Sequence, residues 1–79
     1  MLDFLSYKNK LSYAANPDLY CEEDLRLFNL FKADAIREAG LEGHPKAHKA
    51  FALAWRDGHA EGTRAVFYHL EDLAELLKD

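Results

Sequence analysis

The sequence predicts an all-α fold, a short N-terminal helix followed by a long antiparallel helical hairpin, on three observations. Apolar residues recur at three- and four-residue steps over most of the chain. Only four Gly and two Pro interrupt 79 residues, which favours long regular elements over strands joined by many turns. The main cluster of breakers, Gly40 to Pro45, separates two periodic stretches and is short enough to join antiparallel neighbours. The length fits a single helical domain, 1–79, near the lower limit at which one hydrophobic core supports itself.

The longer arm of the hairpin is His44 to Asp79, which carries the only Trp and all four His. Ala47, Ala50, Phe51, Ala54, Gly58, Gly62, Ala65, Val66, His69, Leu70, Leu73 and Leu77 keep one face over about eight turns. That continuity of phase predicts one helix over 45–77, bent at Gly58–Gly62. The rival reading places a turn at Asp57-Gly58 and makes two helices, 45–57 and 60–77. Two interior glycines cost about 1 kcal/mol each against alanine. The lane Ala47, Ala50, Ala54, Gly58, Gly62 and Ala65 offers a compensating close backbone contact.

The shorter arm is predicted over 17–39. Asn16 suits an N-cap, Pro17 the first helical position and Asp18 the first turn. Cys21, Leu25, Phe28, Phe31, Ala35, Ile36 and Ala39 form its apolar face, widened by Leu27 and Leu30. Gly40 is placed to terminate it, and Leu41 to plug the corner. Residues 2–14 are read as a short helix packed as a flap, since a single strand would have no partner.

Composition narrows the function classes. A single Cys21 excludes an internal disulfide and favours a reducing cytoplasm. It falls on an apolar face and reads as a core thiol. No apolar run approaches the roughly 18 residues of a membrane span, and the start lacks the layout of a signal peptide. Lys and Arg are scattered, so direct nucleic-acid binding is not expected.

No motif names a reaction, and no catalytic residue, cofactor or metal is assigned. His44 and His48 have the four-residue spacing of two ligands on one helical face, but no further ligand stands at a recognised spacing. His44 equally suits a capping role before Pro45. His59 and His69 read as partly buried side chains with a hydrogen-bond partner. A small metal- or His-dependent enzyme using His44, His48 or His59 is the alternative.

The acidic residues carry the sharpest signal. The net charge of −4 arises from residues 16–39 and 65–79, while the other two stretches are slightly basic. Asp18, Glu22, Glu23 and Asp24 favour the dipole of their helix, whereas Glu71, Asp72 and Glu75 oppose theirs. In a hairpin with one continuous long arm the two clusters lie side by side. Asp18, Glu22, Glu23, Glu71, Asp72 and Glu75 are therefore candidate docking residues for a protein partner with a basic surface. Trp55, Phe67 and Tyr68 are candidates on an aromatic band. That band extends to Leu70, Leu73, Ala74, Leu76 and Leu77, more than the N-terminal segment covers, so a homodimer burying it is a further possibility.

The run His44-Pro45-Lys46-Ala47, Ala54-Trp55 ahead of Gly58-His59, Phe31-Lys32-Ala33-Asp34-Ala35 and the Leu70–Leu77 ending resemble a group of small proteins encoded by tailed bacteriophages. The resemblance covers about residues 31–77. It implies an accessory protein in the cytoplasm of a bacterial host, one that binds and modulates a host enzyme or defence component. It assigns no functional residue.

Overall fold

The computed structural model describes residues 3, 4, 7, 18 and 20–78. The fold is all-α: helix α1 spans Glu22–Glu38, α2 Ala47–Gly58 and α3 Thr63–Leu77, with a 3₁₀ turn over His59–Glu61. Among the described residues there is no strand. Phe4 and Tyr7 are also helical, and the remainder of the short helix expected over 2–14 lies outside the described residues.

The start of α1 corrects the expected 17–39. Tyr20 and Cys21 are not helical, and the extended backbone of Cys21 (φ −66°, ψ 166°) precedes the first turn. Glu22, Glu23 and Asp24 fill that turn, where negative charge meets the positive end of the dipole. The expected capping pair Asn16 and Pro17 lies outside the described residues. Phe28, Phe31, Ala35 and Ile36 form the buried stripe, as their spacing predicts. Leu30 does not widen it: at 54% exposure it faces solvent, while Leu27 packs against the core. Cys21 is likewise exposed rather than a core thiol, because it precedes the helix whose face was to bury it.

The end of α1 follows the sequence. The Gly40 N–H donates to Arg37 O at 3.0 Å and the Leu41 N–H to Ile36 O at 2.9 Å, the paired bonds of a Schellman motif. Gly40 holds the φ of +79° that the motif needs and L side chains rarely adopt. Leu41, 1% exposed, folds back beside buried Ile36 and closes the corner. Two tight turns then reverse the chain, closed by His44 N–H to Leu41 O at 2.8 Å and Ala47 N–H to His44 O at 3.1 Å. Pro45 sits in the second turn instead of opening the helix, a place that its fixed φ suits equally.

The long arm is not one helix. The α-helical run ends at Gly58, and Gly62 has φ 110° and ψ 176°, a conformation that no helix contains. The phase of the apolar residues continues across the break because both helices bury faces in one core. Gly58 faces α3 directly: a Cβ there would lie 2.8 Å from Val66 N and 3.0 Å from Ala65 C. The expected close contact therefore exists, with Gly58 at its centre. Gly62 belongs to the turn.

Helix direction follows from side-chain pairs. Phe28 meets Trp55 and Phe51, and Phe31 meets Phe51, so α2 runs antiparallel to α1. Helix α3 starts beside Gly58, and Lys78 just beyond its end lies against Gly40, so it returns parallel to α1. The two interfaces differ in kind. Small residues Ala47, Ala50, Ala54 and Gly58 lie buried on α2, and Val66, Leu70 and Ala74 on α3, which brings these two helices closest together. Aromatic rings separate α1 from α2: Phe28 stands edge-on to Trp55 at 4.7 Å, and Phe31 to Phe51 at 5.9 Å.

Tyr7 ties the N-terminal segment down. It is buried, packs against Phe31 at 5.2 Å and donates its hydroxyl to Asp34 Oδ2, while Asp34 Oδ1 accepts from Arg37 at 2.6 Å. Burial, the hydrogen bond and the Asp34 charge push the Tyr7 hydroxyl up to about 12.

Gly58→Ala gains helix propensity of up to about 1 kcal/mol but forces its methyl onto the α3 backbone, so a net loss of about 1–3 kcal/mol is expected in urea unfolding. Equal or greater stability would show that the helices do not touch there. A tyrosine whose folded pKa exceeds its unfolded value stabilises fully below the unfolded value, and the contribution disappears as pH rises from about 10 through about 12. Tyr7→Phe should cost about 1–3 kcal/mol at neutral pH and make unfolding free energy less steep across that alkaline window.

Candidate functional site

The chain reversal at Gly58–Gly62 rearranges the predicted acidic site. Glu22, Glu23 and Asp24 lie at the end of α1 where Tyr20 meets Trp55. Glu71, Asp72 and Glu75 lie towards the opposite end, where Lys78 reaches Gly40. That separation follows the length of α1, about 25 Å at 1.5 Å per residue. Their expected juxtaposition required a continuous long arm, and the break removes it. Asp18, Glu22, Glu23, Glu71, Asp72 and Glu75 are all exposed, but as two separate groups.

The aromatic candidates also divide. Trp55 is 6% exposed and belongs to the core. Phe67 is half-buried, with Phe4 of the N-terminal segment against it at 5.6 Å. Phe4 lies 6.5 Å from Tyr68 and carries the Arg64 guanidinium 5.2 Å from its own centroid. Leu70 and Ala74 are buried, and Leu73 and Leu77 pack against the core. Of the apolar band, Tyr68 at 53% and Leu76 at 80% remain on the surface. They recur at i and i+8 on α3 with Asp72 between them, flanked by Glu71 and Glu75. Among the described residues none of these three carboxylates has an ion pair.

The histidines have separate surroundings. His44 Nδ1 accepts the Lys46 N–H at 3.0 Å and caps the turn before α2. His59 Nδ1 lies 3.0 Å from Trp55 O and 3.2 Å from Arg56 O, donating to the last turn of α2, where Trp55 O also accepts the His59 backbone N–H, and its ring stacks on Trp55. His69 lies beside Gly58 and Asp57. The hydrogen bond from Arg56 holds the Asp57 carboxyl below its ordinary value, and the nearby His69 acts in the same direction. Among the described residues no three of His, Cys, Asp and Glu group together as a metal site would require.

A shallow groove of about 330 Å³ between α1 and α2 was not foreseen. Phe28, Phe51 and Trp55 form its floor, Ala52 its exposed small wall, and Lys32, His48, Arg56 and His59 its rim. No carboxylate lines it. Its signal in the sequence is the recurrence of His48, Ala52, Trp55, Arg56 and His59 at three- and four-residue steps, one face of α2. The lining combines an aromatic floor with cationic groups, which suits an anionic ligand bearing an apolar group.

No helix among the described residues is long and apolar enough to cross a membrane. No curated protein and no solved structure matches the chain. The chain belongs to the family described as "Family of unknown function (DUF8546)", which matches residues 1–78.

Proposed function

Starting from membership of a family without an assigned role, we propose that this protein is a non-catalytic protein-binding module, an accessory protein of a tailed bacteriophage. It acts inside the host cell on a host enzyme or defence component. Its docking surface is the outer face of α3, and the partner presents a basic surface with an apolar recess.

The observation that carries this reading is Leu76, 80% exposed within the exposed carboxylates Glu71, Asp72 and Glu75. An exposed leucine contributes no burial to the fold. Glu75, in the last turn of its helix, opposes the dipole by a few tenths of a kcal/mol. Neither cost is offset by an ion pair among the described residues. A partner that buries Leu76 and Tyr68 and pairs the carboxylates offsets both, with the charges steering association. Trp55 belongs to the core and is not part of this face. The homodimer loses much of its support, since the band that suggested it is reduced to Tyr68 and Leu76.

Combining Glu71→Gln, Asp72→Asn and Glu75→Gln should leave stability unchanged or raise it by a few tenths of a kcal/mol. The same protein should capture less partner from bacterial lysate at low salt and show a flatter salt dependence. Adding Leu76→Asp should abolish capture. Capture that is equal for parent and variant at every salt concentration would remove α3 as the docking face.

A further inference from the structure

We infer that the groove between α1 and α2 is a second binding site, distinct from the α3 face, and that it takes an acidic segment of a protein partner carrying an apolar anchor. Charge selects the occupant. The chain is net −4, yet the groove is lined by Lys32 and Arg56 without a carboxylate. Arg56 gives its Nε to Asp57 at 3.0 Å, and its side chain remains 69% exposed. Lys32 has no ion pair among the described residues. Both cations are therefore available to carboxylates laid along the groove.

Shape selects a segment of chain over a compact ligand. His48 and His59 mark the two ends along α2, eleven residues apart, or about 16 Å. That length accommodates about five residues of extended chain. Ala52 leaves a gap over the Phe51 and Trp55 floor between the cationic residues, the place for one apolar side chain. The floor is rigid, because Phe28 and Phe51 pack edge-on to one another in the core, and little ordering cost falls on the protein side.

The test is a selection from a displayed random-peptide library against the whole folded chain, followed by titration of the enriched peptides. Trp55 is the only tryptophan and lies in the floor, so its fluorescence reports occupancy when the synthetic peptides lack tryptophan. Enriched peptides should combine Asp or Glu with a central Phe, Tyr, Leu or Met. Lys32→Gln with Arg56→Gln should weaken them roughly ten-fold. Ala52→Glu, at an exposed helix position that tolerates Glu, should remove binding while circular dichroism stays unchanged. The Glu71→Gln, Asp72→Asn, Glu75→Gln protein should bind them as the parent does, so this site and the α3 face succeed or fail separately. Failure to enrich any peptide, enrichment of neutral or basic peptides, or full affinity in the Ala52→Glu protein would overturn the inference.

Discussion

At Gly58 the backbones of α2 and α3 meet with no side chain between them, and the placement of the other elements follows from that contact. A methyl group there would lie 2.8 Å from Val66 N, so the approach is available to glycine alone without a shift. With the small residues of α2 turned towards α3, its large aromatic residues turn towards α1. One helix thus has two interfaces of different width. The close one depends on backbone proximity and on fully buried Val66 and Leu70. The wide one depends on rings, and the groove lies beside it.

The same arrangement distributes charge. Reversal at Gly58–Gly62 carries the carboxylates of α3 away from those that start α1. The acidic surface is thereby divided between two ends, and the α1–α2 groove retains Lys32 and Arg56. A protein of net negative charge thus carries two surface regions of opposite charge. Electrostatics of this kind contributes more to partner choice and association rate than to affinity. The apolar groups beside each charge, Leu76 on α3 and the aromatic floor of the groove, supply contact area.

Much of the helical layout was legible in the sequence because it rests on local chemistry. The buried stripe of α1 and its Schellman termination at Gly40 follow from spacing and from one residue that tolerates positive φ. The phase of the apolar residues suggests one helix where there are two, because two helices that share a core can keep a common phase across a turn. Gly62 stands in the lane of small residues along the sequence, but with φ 110° its role is conformational. The sequence starts α1 too early, since Pro17 and Asp18 satisfy capping rules that Tyr20 and Cys21 do not continue. The acidic residues lie on the surface, but their pairing depends on tertiary register. The groove was hidden for the same reason: Lys32 comes from one helix, and His48 and Arg56 from another.

The reversal between α2 and α3 is the claim on which both proposed surfaces depend, and nuclear Overhauser contacts in solution test it most directly. The structure requires a strong contact from the Gly58 Hα protons to the Val66 amide and another to the His69 ring, with the regular helical pattern interrupted between His59 and Gly62. An unbroken helical pattern from Ala54 through Val66, without those two contacts, would contradict the account.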